Sequence, residues 1–372
     1  MTQIPAGYTY QDMAKFAIGK RVFTVVVQFT FYSYVFLALG GYMLAISESI
    51  SMIFYNTPLC TPLWALVSIG LLIVPCQVQT LTEATYLVWL NFFCIIMAVF
   101  MSLIYMVSHM DSIAVTFAFA ENLGWVSFFN GISKITFSYL GCYIYLEIMT
   151  EMKQPSEFPK AFSIAGPFQL GMYLLVGTVV YLTDGANAVS KEMILWDISL
   201  DTDSITFVIA SVFLLLHLIV AYLIKSTILT RAIVVGLLPS KYKNASGFRM
   251  RMSWFCVSGF ILVVAFIVSN AVPIFSKLTS LMGALNAPLL GYVFPICFTI
   301  GARRSAKVVT GYFEGALLIG IVSFAIILLI AGTSANIISL LENLKTFNQT
   351  PFQCVHEPFR IEWEKSNYNV SS

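Results

Sequence analysis

Nine long apolar stretches follow one another along the chain, separated by short polar segments, and a lipid bilayer is the solvent that fits this alternation. A helix needs about 20 apolar residues to cross the hydrocarbon core. The stretches at about 22–46, 60–78, 86–107, 125–148, 162–182, 205–224, 253–272, 284–302 and 313–331 have that length. Hydrophobic residues make up 59% of the chain and charged residues 10%, whereas a soluble domain is about half apolar and a quarter charged. The expected fold class is all-α, a polytopic transmembrane helix bundle. It forms one domain over residues 1–372, with residues 332–372 as a polar C-terminal tail. The second span is the shortest run, bracketed by Pro62 and Pro75. Pro295 lies inside the eighth and is expected to kink it.

Lysine and arginine in short loops set orientation, because cytoplasmic loops carry the excess of them. With the N-terminus in the cytoplasm, the inside segments hold 14 Lys and Arg, among them Lys20, Arg21, Lys225, Arg303 and Arg304, against five outside. The expectation is N-terminus cytoplasmic and C-terminus non-cytoplasmic. An acidic outer loop with Asp184, Glu192, Asp197, Asp201 and Asp203 agrees, as do glycosylation sequons at Asn348 and Asn369. No cleavable signal peptide is expected, since the first twenty residues are polar and the apolar run after them is too long for a signal core.

Several classes of chemistry find no support. The seven cysteines form no CxxC pair, and the three histidines are scattered, so neither a metal site nor a metal cofactor is expected. Cys76, Cys94, Cys142, Cys256 and Cys297 fall in apolar segments, where a free thiol behaves as a small hydrophobe. A net charge of +2 without a basic-aromatic pattern speaks against nucleic acid. There is no phosphate-binding GxxxxGK[ST] loop and no catalytic constellation, so the chain does not read as an enzyme.

The fourth span is the least greasy. In the fifteen residues from Phe128 to Cys142, seven are polar or glycine: Asn130, Gly131, Ser133, Lys134, Thr136, Ser138 and Gly141. Small residues permit close helix packing, which accounts for the glycines and Ser138 but not for Asn130, Ser133 and Lys134 together. A charge at mid-membrane depth costs about 2.5–3.5 kcal/mol on insertion scales and usually faces a partner, a cavity or a pathway. Gly131 and its polar neighbours predict that Asn130–Tyr139 departs from regular helix, with the break in or beside that run. Irregular backbone at such depth is tolerated where it lines a cavity. Lys134 either serves the solute or a proton, or snorkels to water. On the first span, Gln28 and Tyr32 share one helical face, either as part of a polar site or as helix–helix hydrogen bonds. His217 sits among leucines in the sixth span, where it is either satisfied by a carbonyl or able to exchange protons.

Beyond these residues, several stretches resemble one family. Ile135-Thr136-Phe137-Ser138-Tyr139, Glu147-Ile148 and Glu151-Met152-Lys153-Gln154-Pro155-Ser156-Glu157-Phe158-Pro159-Lys160-Ala161 resemble the sixth helix and following loop of the amino acid/auxin permeases. Tyr8 to Met13 with Gly40-Gly41-Tyr42 are similar to the ends of that family's third helix, and His217 to Tyr222 to its eighth. Val272-Pro273-Ile274-Phe275, Gly283-Ala284 and Phe294-Pro295 are similar to its ninth and tenth. The resemblance covers about residues 8–331.

The resemblance implies an inverted-repeat bundle of the LeuT type, in which the nine spans match family helices three to eleven and the first two have no counterpart. It implies a secondary active transporter that moves amino acids by alternating access, coupled to protons or in some branches to sodium. The lipid bilayer, as plasma or vacuolar membrane, and the amino-acid substrate are the implied partners. The implied substrate residues are Asn130, Gly131, Ser133, Phe137, Ser138 and Tyr139, joined by Gln28 and Tyr32, with Lys134 and His217 for coupling. Where relatives carry Asn or Asp, this chain has Lys134; Lys225 reads as an inner-surface anchor. The alternatives are an amino-acid sensor that does not transport, or an inactive fragment lacking its first two helices.

Overall fold

Helices account for all the regular structure among the described residues. In a computed structural model the residues described are 9–54, 57, 59–79, 85–108, 124–185, 205–237, 247–271, 275–308, 311–346 and 352. The helices are α1 (Tyr10–Ile18), α2 (Arg21–Ile53), α3 (Thr61–Leu72), α4 (Thr85–Ser108), α5 (Trp125–Ser138), α6 (Cys142–Glu151) and α7 (Phe158–Asp184). After them come α8 (Ile205–Leu237), α9 (Phe248–Ala271), α10 (Phe275–Leu285), α11 (Phe294–Ser305), α12 (Tyr312–Ile327) and α13 (Thr333–Thr346). Two π-helical segments interrupt this order, Pro288–Val293 before α11 and Leu328–Gly332 before α13. The chain is an all-α, polytopic membrane protein.

Among the described residues six helices are long and apolar enough to cross a membrane, or seven if the bent pair Lys277–Leu285 and Pro288–Ser305 counts as one. The two remaining expected spans are occupied differently. α3 has 12 residues, about 18 Å at 1.5 Å per residue, and the fourth span is divided into α5 and α6.

Contacts group the chain into two units. The first comprises residues 1–38, 121–164 and 276–348, the second residues 39–120, 165–275 and 349–372.

In the first unit, α1 is a short helix with both ends specified. Thr9 and Asp12 form a capping box, and Gly19 closes the helix at φ 68°. Its buried residues Tyr10, Met13 and Ala14 lie against α11 and α6. The approach is close at Gly301 on α11, where an added Cβ would fall 2.5 Å from the backbone of Ala17. Aromatic rings fill the space around it: Tyr10 meets Phe298 edge-on at 5.0 Å, and Tyr34 meets Tyr143 at 4.7 Å.

The second unit is organised around α8. Met52, Phe207 and Ala210 form a buried cluster with Met101 and Tyr105 of α4 beside it. α9 packs on α8 and α3. Between α3 and the end of the second span the chain leaves the α-helix through a 3₁₀ turn, Pro75–Gln77, and side chains satisfy the freed backbone. The Trp254 indole donates to the Cys76 carbonyl at 2.9 Å, and the Thr227 hydroxyl to that of Val78 at 3.4 Å.

Three boundaries differ from expectation. α8 does not end at residue 224 but runs 33 residues to Leu237. Apart from Arg231, the sequence after Lys225 stays largely apolar, and the first proline is Pro239. Lys225 therefore lies inside α8, with three turns of helix after it. Its ammonium donates to the Tyr42 hydroxyl at 2.9 Å and sits 4.4 Å from that ring's centre, a cation–π contact. Residues 333–346, expected in the polar tail, are helix α13. The bend in the eighth span falls between Leu285 and Pro288, at 42°, rather than at Pro295, which lies in the first turn of α11. A proline in the first helical turn loses no helical bond of its own, so its effect appears on the carbonyls before it.

Candidate functional site

Two interruptions of helix adjoin in the first unit. The first separates α5 from α6. At Tyr139 (φ −95°, ψ 2°) the regular ladder stops. Leu140 N then donates to Phe137 O, Gly141 N to Tyr139 O and Ile144 N to Gly141 O, so i→i−4 bonding is lost for about one turn. The break lies at the C-terminal edge of the polar run. Gly131 is in regular helix, exposed, with nothing within 4 Å of where a Cβ would stand.

The second interruption is the π segment Pro288–Val293. Pro295 has no N–H, so it cannot serve the carbonyl of Leu290, five residues back, or of Gly291, four residues back. Side chains from two other helices do so instead. The Tyr10 hydroxyl donates to the Leu290 carbonyl at 2.8 Å, while the Cys142 thiol reaches Leu290 O at 3.4 Å and Gly291 O at 3.9 Å. Leu140, in the first break, packs on Gly291, in the second: an added Cβ would lie 3.3 Å from its Cδ1. Tyr10 is also tied to α6, its backbone N–H donating to Glu147 Oε1 at 3.3 Å.

The expected site residues divide into groups around this junction. Phe137, Ser138 and Tyr139 lead into the break, Ser138 and Tyr139 being exposed. Asn130 and Lys134 are half-buried on α5, and Asn130 Oδ1 is buried without a hydrogen-bond partner. Ser133 is fully buried and faces α13: its hydroxyl donates to Phe129 O at 2.6 Å and accepts from Asn336 Nδ2 at 3.1 Å. Gly283 of α10 packs on the Ser133 carbonyl, and Gly332 lies beside its hydroxyl. Gln28 and Tyr32 do share a face, and both meet Gln11 of α1. Gln28 Nε2 donates to Gln11 Oε1 at 3.3 Å, and Gln11 Nε2 donates to the Tyr32 hydroxyl at 2.6 Å. His217 belongs to the second unit, on the α8 face toward α4, with the Asn91 backbone as its hydrogen-bond partner and Nδ1 unpartnered.

The family model described as transmembrane amino acid transporter protein matches residues 2–339. The chain belongs to that family. Among known transporters it is 27% identical over 267 residues to a transmembrane transporter of Gibberella moniliformis, covering 67% of this chain and 53% of that protein. A transmembrane transporter of Fusarium pseudograminearum is 24% identical over 308 residues, 77% of this chain and 61% of that protein. An N amino acid transport system protein of Neurospora crassa is 24% identical over 205 residues, 53% and 41% respectively. The alignments thus span between 41% and 61% of these relatives' lengths.

Within this member of the amino acid transporter family, sequence reasoning missed Tyr10, Gln11, Asn286 and Asn336. Asn286, 2% exposed, donates from Nδ2 to the Ser33 hydroxyl at 3.1 Å and holds α2 at the bend. Pro295 was the available signal for Tyr10, because a mid-span proline orphans carbonyls that some side chain must then serve. Asn336 gave none, lying in a stretch whose polarity resembles a tail.

Proposed function

We propose that the chain works as a secondary active transporter that carries amino acids across a membrane by alternating access, driven by a proton gradient. Family membership supports the substrate class. The observation that supports the mechanism most is the meeting of the α5–α6 break with the π segment at Pro288–Val293. Paired interruptions at membrane depth offer backbone groups to a solute. In this reading Asn130, Gly131, Phe137, Ser138 and Tyr139 bind the solute on the α5 side. Ser133 fixes α5 against α13, and Gln28 and Tyr32 belong to the same polar region through Gln11. Lys134 and His217 are the coupling groups, the bundle follows the LeuT-type repeat, and the N-terminus is cytoplasmic.

Uptake of radiolabelled amino acids into proteoliposomes tests this. Accumulation is expected when the outside is acidic relative to the lumen, and collapse of the gradient by a protonophore should abolish it. Saturable uptake that ignores the gradient would overturn proton coupling; an absence of uptake and of binding for all twenty amino acids would overturn the substrate class. Orientation is checked by a C-terminal tag, which should be reachable from the non-cytoplasmic side.

A further inference from the structure

Among the described residues, three buried hydroxyls of α8 have no hydrogen-bond partner: those of Tyr222, Ser226 and Thr230. The three residues are 0%, 1% and 0% exposed. Serine and threonine inside a helix can donate to the carbonyl one turn back, and other buried hydroxyls of the second unit do so. Ser49 donates to Ala45 at 2.8 Å, Ser68 to Trp64 at 2.9 Å, Ser102 to Ala98 at 2.7 Å and Ser211 to Phe207 at 2.9 Å. Ser226 and Thr230 make no such bond, so their hydroxyls serve something else. We propose that Tyr222, Ser226 and Thr230 line a site for ordered water, set where α8 and α9 enclose the 3₁₀ turn Pro75–Gln77.

The spacing forms a column. Residues four apart fall on one face of a helix, and successive Cβ atoms there stand about 5–6 Å apart. A water bonded to two hydroxyls at about 2.7–2.8 Å each spans a similar distance. The turn Pro75–Gln77 contacts both α8 and α9, and every residue of the site belongs to the second unit. From that turn the Cys76 thiol comes close to the Tyr222 and Ser226 hydroxyls. A thiol is a weak donor and a weak acceptor, and it leaves the Ser226 oxygen without a hydrogen bond of ordinary geometry.

The chemistry of the lining selects the ligand. Each hydroxyl has a proton to give and lone pairs to fill, and water answers both. A metal cation would take only the lone pairs and leave three O–H groups unserved. Nor does the turn offer it open carbonyls, because the Cys76 oxygen already accepts from the Trp254 indole and the Val78 oxygen from the Thr227 hydroxyl. Buried polar groups that no protein atom serves are the usual seats of internal water, which is costly to remove.

The test uses the full chain in lipid nanodiscs. Radiolysis in oxygen-18 water makes hydroxyl radicals from bound as well as bulk water, and mass spectrometry reads the labelled side chains. Tyr222 should carry severalfold more label than Phe207, which is equally buried but sits in the apolar cluster with Met52 and Ala210. Equal labelling of the two, after correction for intrinsic reactivity, would overturn the proposal. Ser226→Ala and Thr230→Val provide a second reading whose sign decides. Removing a hydroxyl that holds water should lower the thermal midpoint by a few degrees, whereas removing a dry, unpaired one leaves it unchanged or raises it. An unchanged or raised midpoint in both variants would therefore count against the site; where a variant fails to fold, the wild-type labelling decides. Exchange of sodium and potassium for choline at constant ionic strength should alter neither reading, and a dependence on either ion would replace water with a cation.

Discussion

Asn336 of α13 donates its amide to the hydroxyl of Ser133 on α5 at 3.1 Å, joining residues 203 apart in sequence. Both are buried, and Asn336 also donates to the Gly332 carbonyl at 2.8 Å. The pair clamps the half-helix that leads into the break. Buried hydrogen bonds of this kind hold a polar helix in place where apolar contact gives no directional preference.

Ser133→Ala should lower the stability of the detergent-solubilised protein by about 1–3 kcal/mol, because it leaves the Asn336 amide with one partner fewer in a buried site. Thermal unfolding followed by circular dichroism measures it. An unchanged midpoint would show that the bond contributes nothing to α5.

Two glycines on facing helices should respond in opposite senses. Gly283→Ala drives a methyl into the Ser133 carbonyl, and since that atom is backbone, α10 and α5 must separate. A clear loss of stability is expected. Gly131→Ala adds a methyl to open space within regular helix and should be neutral or stabilise by up to about 1 kcal/mol. Destabilisation by Gly131→Ala would return the break to that position.

Tyr10→Phe keeps the ring packing against Phe298 and Phe31 and removes one hydroxyl. The Leu290 carbonyl would then be left to the weaker thiol contact from Cys142. A cost of about 1 kcal/mol is expected in thermal unfolding. The double variant Tyr10→Phe with Cys142→Ala should lose more than the sum of the two, since both serve the same carbonyl. Strict additivity would count against a shared role.

Lys134→Ala should reduce uptake, or binding, by roughly tenfold to a hundredfold, the equivalent of about 1.5–3 kcal/mol for a charged hydrogen bond. Equal surface expression has to be established alongside. Uptake like that of the wild-type protein would mean that Lys134 reaches water and takes no part.

Tyr42→Phe retains a ring for Lys225 but no hydroxyl, whereas Tyr42→Leu retains neither. The leucine variant should be the less stable by about 0.5–2 kcal/mol. Equal stability of the two would show that the ring face contributes nothing.

The amino-acid sequence by itself determined the solvent, the helical class and the order of the helices, because about 20 consecutive apolar residues are a local property and lipid forces their backbone to satisfy itself. It also singled out the polar run of α5, beside which the break lies, and the shared face of Gln28 and Tyr32. Tertiary structure decided the rest. Whether Gly131 or Tyr139 ends α5 depends on what packs around the helix, and the crowding of Ser133 by Gly283, Gly332 and Asn336 keeps the earlier stretch regular. The partner of the Leu290 carbonyl lies 280 residues away, at Tyr10, where no periodicity could point to it. A hydrophobic pattern reports how much surface a helix must bury; a freed carbonyl is answered by whichever donor the fold brings within about 3 Å.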